Sequence, residues 1–138
     1  MKTLRFVLCA VTALVMASSA FAQTRVKANV PFDFVVGDRY YSAGEYSLKT
    51  INDGGVIQIT NTDAEMSVNV GSNSCAKTYP SEKTVLEFRR MGDMYFLHRV
   101  WVAGSLAGRE FPRSNEEHRL AQLREKSEVV IVAANLAK

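Results

Sequence analysis

Between Arg25 and Val36 every even-numbered side chain is apolar (Val26, Ala28, Val30, Phe32, Phe34, Val36), while most of the odd ones are polar. A period of two is satisfied by an extended strand with one buried face, whereas a helix would spread these residues around its circumference. The pattern returns in the stretch from Glu45 to Ile51, where Tyr46 and Leu48 share a face, in Val56 to Thr60, and in Ala64, Met66, Val68 and Val70. Several half-apolar strands therefore have to bury one face each. Pro31 has no N–H for a ladder bond, which predicts a sheet edge or a bulge at that point.

Turn chemistry divides these strands. Gly37-Asp38 and Ser42-Ala43-Gly44 reverse the chain, and Asn52-Asp53-Gly54-Gly55 predicts a hairpin because glycine, Asn and Asp tolerate positive φ. A turn at Asn61-Thr62-Asp63 continues an antiparallel meander. After a polar connection from Gly71 to Glu82, the strands Thr84 to Arg90 and Met94 to Trp101 flank Met91-Gly92-Asp93. In the second of them, Phe96 and Val100 would lie on one face and Tyr95, Leu97 and Trp101 on the other, so something must cover its second side. The cover expected is a helix. Ser114 with Glu117 forms a capping box, and Leu120 and Leu123 make a short apolar stripe running to about Lys126. Val129 to Ala134 reads as a strand buried on both faces. The set predicts a mostly β fold: an antiparallel β-sandwich or partly closed barrel of about seven strands, with one C-terminal helix before the last strand, lying against a sheet or plugging one end. Whether that helix makes a crossover to a parallel neighbour is left open.

The amino-terminal residues follow a different logic. Lys2 and Arg5 precede a twelve-residue stretch, Phe6 to Ala17, that is apolar apart from Thr12, and Ala20-Phe21-Ala22 places small residues where signal peptidase reads them. Residues 1–22 are expected to be a cleavable signal peptide, cut between Ala22 and Gln23, and residues 23–138 a single β-rich domain that is periplasmic or secreted. A permanent anchor would need roughly 20 apolar residues. A lipid anchor on Cys9 would leave the apolar run on the mature protein. No stable membrane insertion is expected after cleavage.

The remaining 116 of 138 residues suffice for one core. The signal removes two of 17 basic residues and none of 14 acids, leaving a formal charge of +1, which gives no electrostatic reason to expect nucleic acid or an acidic membrane surface as partner. With Cys9 gone, Cys75 is the one remaining thiol, so no internal disulfide can form and packing must hold the fold. It is read as half-buried without a role, against a reactive or dimer-forming thiol.

The string Val30-Pro31-Phe32-Asp33-Phe34-Val35-Val36-Gly37, the turn Ala43-Gly44-Glu45-Tyr46, the segments Gly92-Asp93-Met94-Tyr95-Phe96-Leu97, Val100-Trp101 and Gly108-Arg109, and Phe111-Pro112-Arg113-Ser114 with Glu117 carry a resemblance that extends over nearly the whole mature chain. In these the chain resembles a family of small exported bacterial proteins with no assigned activity. The resemblance implies export and a β-rich fold, and neither an activity nor a site.

Catalytic patterns are missing from the sequence. Gly104-Ser105-Leu106-Ala107-Gly108 lacks the spacing of a nucleophile elbow, and no Lys followed by Ser or Thr makes a phosphate loop of it. His98 and His118 stand at metal-ligand spacing from neither each other nor Cys75, so no metal or cofactor is expected. The acids Asp33, Glu45, Glu87 and Asp93 are scattered over turns and polar faces. Arg109 and Arg113 precede a helix whose free amides begin near Ser114, an arrangement able to hold an anion, although Glu116 and Glu117 complement the same helix end. With Trp101 they form the candidate anion or ligand contact. Tyr40, Tyr41, Tyr46, Tyr79 and Trp101 could line a groove for a sugar or apolar ligand, against ordinary packing.

These observations favour a non-enzymatic binding or structural module of the cell envelope, acting on an envelope or extracellular ligand. The alternative is a carrier of a small apolar ligand in a β-barrel, which needs an internal cavity lined by residues such as Phe32, Phe34 and Phe96. A second alternative is an exported hydrolase, which needs two acids in one cleft, or His98 beside an acid, with shifted titration.

Overall fold

The alternation in the first strand is realised directly: Val26, Ala28 and Val30 are buried while Arg25, Lys27 and Asn29 face solvent. A computed structural model describes residues 24–51 and 55–137. The expected signal segment with its cleavage point, and Asn52, Asp53 and Gly54 of the expected hairpin turn, lie outside the described residues. Eleven strands and one helix are present among them: β1 Arg25–Val30, β2 Phe34–Val36, β3 Arg39–Tyr41, β4 Gly44–Thr50, β5 Val56–Asn61, β6 Met66–Gly71, β7 Asn73–Ala76, β8 Val85–Met91, β9 Met94–Trp101, β10 Ala107–Glu110, helix α1 Asn115–Gln122, and β11 Ser127–Ala137.

The hydrogen-bonded order is β3-β2-β9-β8-β11-β1-β4-β5-β6, with β10 pairing both β9 and β7. Two strands turn corners. The first half of β11 pairs β8, from Ser127 opposite Met91 to Ala133 opposite Val85, and its end pairs β1, from Ala134 opposite Ala28 to Ala137 opposite Arg25. In the same way β6 pairs β5, the chain bends at Ser72, and β7 pairs β10. Because β10 also pairs β9, the ladder returns to its start and the sheet curls into a partly closed barrel, corners being made by strands that change partners. The fold class read from the sequence is the one observed.

The interior is one main cluster. Phe88 is fully buried, with Phe32 and Phe34 edge-on to it at 5.0 and 5.4 Å between ring centroids. Phe34 also stacks on Tyr41 at 5.3 Å, and Tyr46, Leu48, Ile57 and Ile59 come from β4 and β5. A second, smaller cluster of Val35, Met91 and Phe96 lies on the outside of the sheet beneath Leu120 and Ala121 of α1. The helix thus supplies the cover that β9 required. Its connection leads to β11, which is antiparallel to both neighbours, so no parallel crossover forms.

Five expectations are corrected. About seven strands become eleven, because the stretch from Arg25 to Val36 breaks after Val30 and because β3, β7 and β10 are short pieces whose sequence carries little alternation. Pro31 lies in that break, and β1 is internal, between β11 and β4. On β9, Phe88 faces Leu97 while Glu87 faces Arg99, so His98 is an extra residue in a bulge. The bulge reverses the face assignment: Leu97 and Val100 both enter the main cluster and Phe96 points the other way. Finally, β11 is buried on one face only. Val132 is inside, but Val129 and Ile131 remain 63% and 54% exposed because α1 covers β8 and β9 and stops short of β11. Leu123 of the expected helical stripe is exposed as well.

The contrast gives a direct test. Phe88→Ala should destabilise the fold by about 3–5 kcal/mol in denaturant titration, whereas Val129→Ser should stay within about 0.5 kcal/mol of wild type.

Candidate functional site

At the end of the barrel where β1 begins, inward residues of both walls stop short of each other and leave an open cleft of about 280 Å³. Its walls are apolar, from Val26, Leu48 and Ile57 on one side and Val100 and Val102 on the other. Its rim carries Thr24, Thr50, Ser74, Ser105 and Arg109. Among the described residues, neither a histidine nor a carboxylate lines it.

Arg109 is held in place by the corner that closes the barrel. Its Nε donates to Ser72 Oγ at 3.0 Å, Nη2 to the Ser72 carbonyl at 3.2 Å and Nη1 to Ser74 Oγ at 2.8 Å. Ser72 is buried, and its hydroxyl donates to the Gly55 carbonyl at 2.6 Å. Gly55 has φ +89°, and a Cβ there would sit 2.2 Å from Arg109 Nη2 and 2.4 Å from the Ser72 carbonyl oxygen. Only glycine lets the guanidinium approach so closely. Among the described residues no carboxylate pairs with Arg109. A guanidinium has five N–H donors, so the three bonds to Ser72 and Ser74 leave two for another acceptor.

The outer face of the sheet carries a separate polar cluster. Arg89 Nη1 lies 2.7 Å from Glu117 Oε1, an ion pair without hydrogen-bond alignment, both side chains being largely buried under α1. Arg89 Nη2 donates to His98 Nδ1 at 2.6 Å, which requires a lone pair on that nitrogen. Burial, and then the Arg89 guanidinium, push His98 down to about 4 from its ordinary 6.5. Burial also lowers Arg89 from its ordinary value. Beside this cluster Glu87 accepts from Trp101 Nε1 at 3.0 Å and pairs with Arg99, which reaches Glu110 at 3.1 Å. Lys77 Nζ stands 4.2 Å from the centroid of the Trp101 ring.

The structure does not bring Arg109, Arg113 and Trp101 together. Arg109 is at the barrel end; Arg113 lies 3.9 Å from Glu117 at the helix; Trp101 is outside, packed over Gly108, where a Cβ would meet its ring at 2.5 Å. The capping box is half formed. Ser114 Oγ accepts from the Glu117 amide at 3.1 Å, but the Glu117 carboxylate turns to Arg89 instead of back to the cap. Of the aromatics, Tyr40, Tyr41 and Tyr46 do gather, at the opposite end of the barrel, around a space of about 120 Å³. Tyr41 is buried there with no partner for its hydroxyl among the described residues, and burial raises its pKa. Tyr79 is exposed and apart. Phe32 and Phe34 fill the interior and Phe96 lies under the helix, so the cleft is walled by valine, leucine and isoleucine instead. Cys75 is half-buried on β7, and burial, followed by the Glu110 carboxylate, raises its pKa. Sequence reasoning missed Ser72 and Gly55 as the seat of Arg109, and Arg89 as the residue that joins His98 to Glu117. The one available signal was the glycine pair at 54 and 55, which reads equally well as a turn.

No protein-family model matches the chain, and no curated protein and no solved structure is similar to it.

Two outcomes follow from this geometry. Because the folded His98 titrates below the unfolded value, the unfolded chain takes up the extra proton. Stability should be full above about pH 6.5 and fall progressively towards pH 4, the interval between the two values. His98→Gln should flatten that slope in urea melts recorded across the interval. Gly55→Ala should cost more than about 1 kcal/mol, since it combines a disfavoured φ with displacement of Arg109.

Proposed function

We propose that this chain is exported by loss of residues 1–22 and acts outside the cytoplasm as a non-enzymatic binding module, taking a small amphiphile with one anionic head at the barrel-end cleft. The reading rests on one observation: an apolar cleft with a fixed, incompletely used guanidinium at its rim. Its size is close to the ~300 Å³ lower bound of small-molecule sites, which favours a short chain over a long one. Valine, leucine and isoleucine walls bury an aliphatic tail, while Arg109 offers two N–H groups to a carboxylate or phosphate oxygen. A lining of apolar, hydroxyl and guanidinium groups among the described residues supports binding ahead of an exported hydrolase. The resemblance noted in the sequence supports export without bearing on the ligand.

Titration with decanoate, followed by methyl NMR, should shift Ile57 and Val100. Decanol should bind at least about tenfold more weakly, as expected for loss of a hydrogen bond to a charged donor. Val102→Trp should fill the cleft and abolish both. Unshifted methyls, or undiminished binding by Val102→Trp, would refute the site; intact mass of protein recovered from the producing cell, beginning at Met1 instead of Gln23, would refute export.

A further inference from the structure

The outward face of β1, β4 and β5 carries a groove unrelated to the cleft. Two rungs of side chains cross these strands side by side. In one, Arg25 stands opposite Lys49, and Lys49 opposite Gln58; in the other, Lys27 stands opposite Ser47, and Ser47 opposite Thr60. Between them runs a groove of about 350 Å³ lined by these residues. Glu65, at the turn into β6, is the one acid in the lining among the described residues.

The arrangement costs the fold something. Like charges directly opposite on neighbouring strands repel, and the Arg25–Lys49 pair is of this kind. Among the described residues neither Arg25, Lys27 nor Lys49 forms an ion pair. Arg99, by contrast, is paired to Glu87 and Glu110, and Arg119 to Glu116. A cationic groove left open, floored by amide and hydroxyl groups, is a surface whose complement is missing among the described residues. Local instability kept at a concave polar site is characteristic of binding sites, where the ligand relieves it.

We infer that this groove binds an anionic glycan, a chain of sugars bearing carboxylate or sulfate groups. The three cations would meet the acidic groups. Ser47, Gln58 and Thr60 present neutral donors and acceptors, and the transverse run of the groove across the strands suits a linear polymer. A bilayer would use the cations but not the recessed amide and hydroxyl groups.

The test uses protein purified from the producing cell, titrated calorimetrically with polygalacturonate, with neutral dextran, and with phosphatidylglycerol vesicles. Polygalacturonate should bind and dextran should not. Lys27→Gln and Lys49→Gln should each weaken binding about tenfold, the loss of one charge-assisted contact. Gln58→Leu, which leaves the charge unchanged, should weaken it several-fold. Arg124→Gln, outside the groove, should bind as wild type. Lys49→Gln should also melt at or above the wild-type temperature, which separates a binding role from a structural one. Equal binding by the Lys27 and Lys49 variants, by dextran, or by Gln58→Leu would overturn the inference. So would equal loss in Arg124→Gln, or tighter binding to the vesicles than to the polymer.

Discussion

A twisted sheet can close on itself only where some strand leaves one neighbour and takes up another, and two strands do this here. β11 passes from β8 to β1, and the β6–β7 segment passes from β5 to β10. At the second corner the backbone ladder is interrupted at Ser72, and the polar groups exposed there need partners. Arg109, Ser72 and Gly55 supply them to one another. The main cluster, the open cleft and the position of Arg109 at its rim all depend on this junction. The guanidinium is first a closing device, and among the described residues the geometry of closure uses three of its five donors.

The outer surface is governed by partial coverage. α1 is eight residues long and shields only part of the sheet, so Phe96, Met91 and Val35 form a dry cluster while Val129 and Ile131 on β11 stay in water. Where the helix does lie, charges are buried with it. Arg89 faces both Glu117 and the neutral ring of His98, an arrangement in which removing the acid would strand a buried cation. The helix thus meets the sheet through a buried ion pair as well as through Leu120. Among the described residues no helix covers β1, β4 and β5, and the charges of Arg25 and Lys27 there are exposed.

Much of this was legible in residue order. Alternation in β1, β4, β5 and β6, the Gly92 and Asn61 turns, the Ser114 cap and the need for a helical cover over β9 all rest on local periodicity, which acts within a few residues. The pieces that were not legible share a different cause. The bulge at His98 changes which face Phe96 and Val100 occupy, and nothing within β9 announces it, since it arises from register against β8. The short strands β7 and β10 exist because each finds the other across more than thirty residues of sequence.

What the sequence by itself determined is the class of fold: period-two apolar patterning can be buried only in sheets, and one capped helix can cover only part of one. Which strands turn the corners, where the barrel stays open, and why Arg109 stands at that opening while Arg113 and Trp101 lie elsewhere were decided by tertiary structure. Such placements depend on pairings between distant segments, whose energies are set by register and closure, and local residue order carries no record of either.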